Sequence, residues 1–218
     1  MMRLHHVPMS RSFRVLWLLE ELGLEAELVM HSIRGGTMHT PEGYAVSPAG
    51  RVPALELDGE TMFESGAIVQ TLVERHPDAG LGREVGDAER PAYLQAMWFS
   101  ETMASLIEQL NMNHLFLRDP SLASPVVIKL LTARFKSTLR GADTMLAGDW
   151  VLPSGFSAAD IMFGFNLRAV PYYVRFDEFP RLQGYLGRCA ARPAYQRALK
   201  KDGEQEFYTK DFYPVPEH

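Results

Sequence analysis

The 218-residue sequence contains a single cysteine, Cys189. One cysteine cannot form a disulfide within the chain, and the absence of a Cys-x-x-Cys pair excludes a dithiol redox mechanism. No stretch approaches the roughly 18 apolar residues that a membrane-spanning helix needs. The first residues also lack the apolar core and the small-residue cleavage site of a signal peptide. These absences predict a cytoplasmic protein.

The numbers of acidic and basic residues are also nearly balanced. The 22 Lys and Arg residues stand against 27 Asp and Glu residues, so the net charge is only −5, and no basic run is present. A nucleic-acid groove calls for a clustered basic face. The adjacent His5 and His6 would point to opposite faces of a strand, and no Cys or His cluster has the spacing of metal ligands. We therefore expect neither a nucleic acid partner nor a metal.

The first 77 residues alternate between strand and helix patterns. Apolar residues recur at helical spacing after a short first strand, and Asp58-Gly59 is a strong signal for a two-residue hairpin turn. The order β-α-β-α-β-β-α that results is that of a thioredoxin-like unit. The predicted elements are a strand at 3–6, a helix at 12–24, a strand at 25–32, an irregular helix within 35–46, strands at 53–57 and 61–63, and a helix at 65–75.

Beyond the glycine-rich stretch 78–87, helical patterns dominate. Ser157 stands three residues before Asp160 and ahead of an apolar run, which is the pattern of a capping box. The aromatic tail from Gly203 onward is expected to be an ordered loop. Helices are predicted at 87–117, 125–146, 157–173, 179–190 and 193–201. The fold class is therefore α/β followed by all-α, with a thioredoxin-like domain at 1–77, a linker at 78–87 and an all-helical domain at 88–218.

The loop between the first strand and the first helix carries two hydroxyl groups, those of Ser10 and Ser12. A hydroxyl there lies beside unpaired backbone N–H groups and the positive end of the helix dipole. If it donates a hydrogen bond to a sulfur atom, it favours the thiolate over the thiol. Serine is also a preferred N-cap residue, so each serine is a candidate for either role or for both.

Two residue pairs downstream have a binding and a structural interpretation. A cis bond at Val52-Pro53 would turn the Val52 N–H and C=O outward to pair with an extended peptide, although trans bonds are far commoner and proline often opens a strand. Glu64-Ser65 begins a helix. Ser65 could hold a carboxylate and Glu64 an amino group, or the pair could simply cap the helix.

The ordered set of motifs resembles the cytosolic glutathione transferase family over nearly the whole chain. The spacing of the serine is similar to that of the theta- and zeta-like members, which use serine to activate the thiol. The residues that carry the resemblance are Ser10 four positions before Arg14, then Val52-Pro53, Glu64-Ser65 and the Ser157/Asp160 capping box.

The resemblance implies a glutathione S-transferase in which Ser10, or Ser12 in its place, activates the glutathione thiol. Glutathione would be the co-substrate and a small hydrophobic electrophile the second substrate. The residues implied for glutathione are His39, Arg51, Val52, Pro53, Glu64 and Ser65, and the resemblance implies that the Val52-Pro53 bond is cis. Those implied for the electrophile are Met9, Met103, Ile107 and His114. Family members pair as homodimers, and apolar residues of the long helix, including Met97 and Phe99, are candidates for the contact.

Two departures from the family pattern bear on these expectations. Gly50 stands where several related enzymes have His or Lys, and the N-terminal loop contains neither Tyr nor Cys. The lack of a loop cysteine argues against the thiol-exchange members. The alternatives are a glutathione-dependent peroxidase, dehalogenase or isomerase on the same fold, or a non-catalytic binding protein that keeps the fold.

Overall fold

The computed structural model describes residues 1–216. Its four-stranded mixed sheet has the order β2-β1-β3-β4. The strands are β1 Arg3–His6, β2 Glu27–Met30, β3 Ala54–Leu57 and β4 Glu60–Phe63. β1 runs parallel to β2, with Arg3 opposite Glu27, and antiparallel to β3, with Arg3 opposite Glu56. Asp58 and Gly59 have φ angles of 55° and 84°, as the tight hairpin turn between β3 and β4 requires.

Three helices accompany the sheet: α1 Ser12–Leu22, α2 Pro41–Val46 and α3 Ser65–Arg75. α1 ends two residues before the predicted position. Gly23 takes the left-handed conformation, with φ of 66°, and its N–H donates to the carbonyl oxygen of Leu19, which closes the last turn. β2 is shorter than the predicted strand at 25–32, and α3 has the predicted bounds.

The rest of the chain is helical, with α4 Arg90–Asn111, α5 Pro125–Met145, α6 Ala158–Leu167, α7 Val170–Tyr173, α8 Pro180–Ala191 and α9 Pro193–Asp202. The predicted long helix ends at Asn111 and continues as a π-helical turn, Met112–Phe116. The predicted single helix at 157–173 is wrong, because it is two helices, α6 and α7. Pro171 lacks the N–H that a continuous helix would need at that point.

The fold class is confirmed: a thioredoxin-like N-terminal domain precedes a helical C-terminal region. Among the described residues, no helix has the length and apolar character needed to cross a membrane. The described part of the aromatic tail is an ordered loop in which Phe207, Tyr208 and Tyr213 are buried, and the Tyr213 N–H donates to the Tyr172 carbonyl oxygen over 2.7 Å. Residues 217 and 218 of that tail lie outside the described residues.

The contacts divide the chain into two units that differ from the boundaries predicted at 77 and 88. The first unit consists of Met1–Glu84 and Ala190–Gln205, and the second of Val85–Cys189 with the residues from Glu206 onward. The first unit therefore contains α9, which the sequence pattern assigned to the helical domain.

Aromatic packing and an ion pair hold α9 against α1. The ring of Tyr195 meets Phe13 and Trp17 edge-on, with centroid distances of 5.3 Å and 4.9 Å. The Arg192 guanidinium donates to both carboxylate oxygens of Glu21, at 2.7 Å and 2.8 Å. Edge-to-face aromatic pairs stabilise a contact beyond the area they bury. These contacts explain why α9 belongs to the first unit.

The predicted capping box is present at the start of α6. Asp160 is fully buried, and its carboxylate accepts four hydrogen bonds. Ser157 donates from its N–H at 2.8 Å and from its hydroxyl at 3.1 Å, whereas the Val151 N–H and the Tyr185 hydroxyl each donate at 2.9 Å. Burial raises the pKa of Asp160, and the four hydrogen bonds partly counteract that increase. Asp160 therefore joins three separate segments of the helical unit.

Replacing Asp160 by alanine should lower the free energy of unfolding by at least about 3 kcal/mol, because several buried donors lose their acceptor together. Ser157→Ala removes only one of the four bonds and should cost about 1 kcal/mol. Urea denaturation of both variants measures the difference. Equal losses in the two variants would contradict the bridging role of Asp160.

Candidate functional site

The two candidate hydroxyls of the N-terminal loop lie in different environments. Ser10 is half-buried, whereas Ser12 is fully buried. Neither is the N-cap residue of α1, a position that Arg11 occupies. The Ser10 Oγ accepts from the Ser12 N–H over 3.3 Å, and the two hydroxyl oxygens lie 2.8 Å apart. Of the two serines, Ser10 is therefore the one that retains solvent access.

Ser12 is held inside the fold by β1 and the following loop. Its hydroxyl oxygen accepts from the Val7 N–H over 3.2 Å and lies 2.8 Å from the Nδ1 of His6. The Nε2 of His6 lies 3.0 Å from the carbonyl oxygen and 3.2 Å from the carboxylate Oδ1 of Asp202, the last residue of α9. No sequence motif pointed to a contact between His6 and Asp202, which lie 196 residues apart in the chain.

Asp202 also shapes the loop backbone. Its Oδ1 accepts from the Met9 N–H over 3.1 Å, and Met9 has a φ of 60°. A non-glycine residue in this left-handed region costs roughly 1–3 kcal/mol and needs support from its surroundings. The contact with Asp202 supplies that support one residue before Ser10.

Glu64 and Ser65 lie at the start of α3, and the simple capping interpretation does not hold for Glu64. It occupies the N-cap position with φ of 71° and ψ of 109°, and in the part of the chain that the structure describes its side chain makes no capping bond. Glu64 is exposed and Ser65 is buried. The fully buried Arg14 donates to the Ser65 hydroxyl over 2.9 Å. A positive charge thus reinforces the anion-attracting end of α3.

The Val52-Pro53 bond is cis, as predicted. Val52 is half-buried, Pro53 buried and Arg51 exposed. Gly50, the first departure from the family pattern, has a φ of 60°. A Cβ at this position would lie only 2.8 Å from the Nδ1 of His39, so the glycine makes room for the histidine ring.

Exposed His39 therefore lies directly over the segment that leads into Pro53. Its Nδ1 is 3.1 Å from the hydroxyl oxygen of Tyr44, which fixes the ring. The imidazole takes the space that a side chain at position 50 would need. All six residues predicted to bind glutathione lie in the first unit.

The four residues predicted for the electrophile are divided between the units. Met9 lies in the first unit, whereas Met103, Ile107 and His114 lie in the second. Met103 and Ile107 are buried.

The ring of His114 stacks on Tyr173 and lies against Tyr213, each at a centroid distance of 5.5 Å. Burial, with a smaller effect of the Lys210 charge, lowers the pKa of His114. Its Nε2 is buried and has no hydrogen-bond partner among the described residues. A buried polar atom of this kind can be satisfied by a polar group of a ligand.

The two adjacent histidines of β1 face opposite sides, as predicted. His5 points away from His6, with its Nε2 2.8 Å from a carboxylate oxygen of Glu56 and its Nδ1 2.9 Å from the Nε2 of His31. Burial, followed by the influence of His5, lowers the pKa of His31. Within residues 1–216, no group of three or more His, Cys, Asp or Glu side chains is placed to hold a metal ion.

Comparison with known proteins gives a consistent family. Residues 4–82 match the family model described as glutathione S-transferase, N-terminal domain. The chain is 29% identical over 217 residues to Glutathione S-transferase 3 of Schizosaccharomyces pombe, an alignment that covers 92% of this chain and 88% of the relative.

Solved structures of similar proteins have the same fold over almost the same length. A glutathione transferase from Pseudomonas putida, with one glutathione disulfide bound per subunit, has a TM-score of 0.80 and 27% identity, covering 93% of this chain and 92% of its own. A sphingomonad glutathione S-transferase complexed with glutathione has a TM-score of 0.77 and 27% identity, covering 92% and 98%. The chain is therefore similar to glutathione S-transferases over almost its whole length, and its residues 4–82 match the N-terminal domain of that family.

Proposed function

We propose that this protein conjugates the glutathione thiolate to small hydrophobic electrophiles. The observation that carries the proposal is the environment of Ser10. Its half-buried hydroxyl lies at the N-terminal end of α1 and is held by the Ser12 N–H. A free thiol has a pKa near 8.5, so only a few per cent is ionised at neutral pH. A hydroxyl that donates to the sulfur raises the fraction of thiolate and hence the rate of attack.

The glutathione molecule would be bound along the first unit. Ser65 and the buried Arg14, which donates to its hydroxyl, favour a carboxylate at the start of α3, and exposed Glu64 can accept from the neighbouring amino group. Together they suit the γ-glutamyl end. The Val52 backbone would pair with the cysteinyl residue in the manner of an added strand. The glycyl carboxylate would meet His39 or Arg51.

For the electrophile, Met103, Ile107 and His114 remain the predicted residues of the helical unit, and Met9 that of the first unit. Apolar side chains with one polar aromatic tip suit a small hydrophobic molecule that carries a single polar group. The Nε2 of His114, which has no hydrogen-bond partner among the described residues, would form a hydrogen bond with that polar group.

The two alternatives differ from this proposal in their observable chemistry. A glutathione-dependent peroxidase, dehalogenase or isomerase would bind glutathione and ionise it, but would not accumulate a thioether from a general electrophile. A non-catalytic member would be retained on immobilised glutathione without turnover. Retention on glutathione resin combined with a screen of peroxides, haloalkanes, maleyl compounds and aromatic electrophiles separates these cases.

Ser10→Ala should lower turnover by roughly 10- to 1000-fold, which corresponds to about 1.4 to 4 kcal/mol of transition-state stabilisation. The remaining activity should rise with pH, because bulk ionisation of the thiol replaces assisted ionisation. Ser10→Thr, which keeps a hydroxyl, is the matched control and should retain most of the activity. Steady-state kinetics over a range of pH give the comparison. Unchanged turnover in Ser10→Ala would rule out this serine.

Glu64→Gln and Ser65→Ala should each weaken glutathione binding by about 10- to 100-fold, because a bound charged end group loses a hydrogen-bond partner. Glu60→Gln, which changes an exposed carboxylate four residues upstream, is the control and should leave the Kd unchanged. Isothermal titration calorimetry measures all three. Affinities within twofold of the unmodified protein would show that glutathione binds elsewhere.

A homodimer is the second part of the proposal. Met97, one of the residues predicted for the contact, is buried, whereas its neighbour Trp98 is 70% exposed. Trp98 borders a groove of about 570 Å³ between α4 and α5, which also includes Arg134. Exposed tryptophan is unusual on a monomer and frequent at interfaces. The contact is therefore proposed to centre on Trp98.

Light scattering at micromolar concentration should give about twice the chain mass of 24.6 kDa. Trp98→Glu places a charge in the contact and should shift the protein towards the monomer. Val85→Glu adds the same charge at another exposed apolar position and should leave the mass unchanged. A monomeric mass for the unmodified protein would refute the dimer.

A further inference from the structure

A continuous buried hydrogen-bond chain connects the end of α9 to the hydroxyl of Ser10. The Oδ1 of Asp202 lies 3.2 Å from the Nε2 of His6, and the Nδ1 of His6 lies 2.8 Å from the Oγ of Ser12. The Oγ of Ser12 in turn lies 2.8 Å from the Oγ of Ser10. The first three residues are at most 2% exposed, whereas Ser10 is half-buried. The hydrogen-bond chain therefore leads from the interior of the first unit to Ser10, the residue that would face the glutathione thiol.

The partners of His6 determine which of its nitrogens carries a hydrogen. Both atoms close to Nε2 are oxygens of Asp202, one from its backbone carbonyl and one from its carboxylate. Such oxygens only accept hydrogen bonds, so Nε2 must carry the hydrogen. The other nitrogen, Nδ1, faces the Ser12 hydroxyl. It accepts from that hydroxyl when the ring is neutral and donates to it when the ring is an imidazolium.

With His6 neutral, each serine has a complete set of partners. The Ser12 hydroxyl has two acceptors within reach of its one hydrogen, the His6 Nδ1 at 2.8 Å and the Val7 carbonyl oxygen at 3.2 Å. When it donates to the nearer Nδ1, it accepts from the Val7 N–H, and its remaining lone pair accepts from the Ser10 hydroxyl. Ser10 in turn accepts from the Ser12 N–H. Its hydrogen points inward, and its remaining lone pair is available to accept from a thiol S–H.

With His6 protonated, the directions reverse and the set is again complete. Nδ1 donates to Ser12, and Ser12 donates to Ser10 at 2.8 Å, the nearer of its two remaining acceptors, the other being the Val7 carbonyl oxygen at 3.2 Å. Ser10 now accepts from both the hydroxyl and the N–H of Ser12, so its own hydrogen points outward. In this state it can donate to a thiolate. The hydrogen-bond chain with neutral His6 thus suits the glutathione thiol, and the chain with protonated His6 suits the thiolate.

We propose that His6 receives the glutathione thiol proton through Ser10 and Ser12, and that Asp202 stabilises the resulting imidazolium. This inference rests on the proposed function. The thiol proton moves to the Ser10 Oγ, the Ser10 hydrogen to the Ser12 Oγ, and the Ser12 hydrogen to the His6 Nδ1. One S–H bond breaks and one N–H bond forms, while each serine gives up one hydrogen and gains another.

The surroundings of His6 favour this role. The carboxylate of Asp202 approaches the ring from α9, and α1 contributes the neutral hydroxyl of Ser12. Three nearby titratable groups, His5, His31 and Glu56, contact one another on the side away from His6. After the thiolate has attacked the electrophile, the reverse shift returns the proton through Ser10 to the leaving group or to water.

A proton count on the unmodified protein tests the relay directly. Glutathione is added at about pH 8, above the ordinary titration range of free histidine. Ultraviolet absorbance measures the thiolate formed, and an indicator dye in weak buffer measures the protons released. The relay keeps the proton in the protein, so well under half a proton should be released per thiolate formed, against about one if Ser10 acts alone. Release of about one proton would overturn the relay.

Variants add a second readout. Asp202→Asn keeps acceptors for His6 and for the Met9 N–H but removes the negative charge, and Ser12→Ala interrupts the chain. In both, the apparent pKa of the bound thiol should rise by about one unit or more, which corresponds to a tenfold loss of thiolate affinity for the site. Ser12→Thr restores a hydroxyl and should restore the ionisation. His5→Asn is the matched control on the same strand and should change nothing.

The outcomes separate this inference from the proposed function. A protein that binds and ionises glutathione while releasing a full proton, or whose Asp202→Asn and Ser12→Ala variants ionise it as before, overturns the relay and leaves the transferase proposal intact. A protein that binds no glutathione overturns both.

Discussion

The packing of α9 on α1 is the contact on which the proposed thiol site depends. Tyr195 meets Phe13 and Trp17 edge-on, and this arrangement places the last residue of α9, Asp202, beside His6. A carboxylate at the C-terminal end of a helix is disfavoured by the helix dipole. The contacts of Asp202 with the imidazole and with the Met9 N–H offset that cost and make α9 part of the site.

Two of the three non-glycine residues with left-handed φ angles among the described residues lie next to positions proposed to face glutathione. Met9 and Glu64 both have left-handed φ angles, of 60° and 71°, and each lies next to a serine assigned to glutathione. Such conformations persist only where the surroundings determine them. Asp202 holds the loop at Met9, and Arg14, buried beneath α3, holds Ser65 next to Glu64. The two halves of the site are thus fixed from the interior.

Neighbouring residues of one strand acquire different chemistry from their surroundings. His5 and His6 are adjacent in β1, but His5 joins a half-exposed network with Glu56 and His31, whereas His6 is enclosed between a carboxylate and a hydroxyl. The alternation of a strand sends the two rings to opposite faces. Only the second environment is connected to Ser10, as the proposed proton relay requires.

The cis bond at Val52-Pro53 followed only from the family resemblance, because trans X-Pro bonds are far commoner. The sequence by itself determined the fold class, the bounds of α3 and the capping box of α6. These features depend on residues close together in the chain, where periodicity, turn residues and caps act locally. The break between α6 and α7 was also local, but the apolar pattern across Pro171 hid it. Only the tertiary structure decided that α9 belongs to the first unit and that Asp202 contacts His6, 196 residues away in the chain. No local pattern encodes such a pairing, because it arises from the packing of side chains on separate elements.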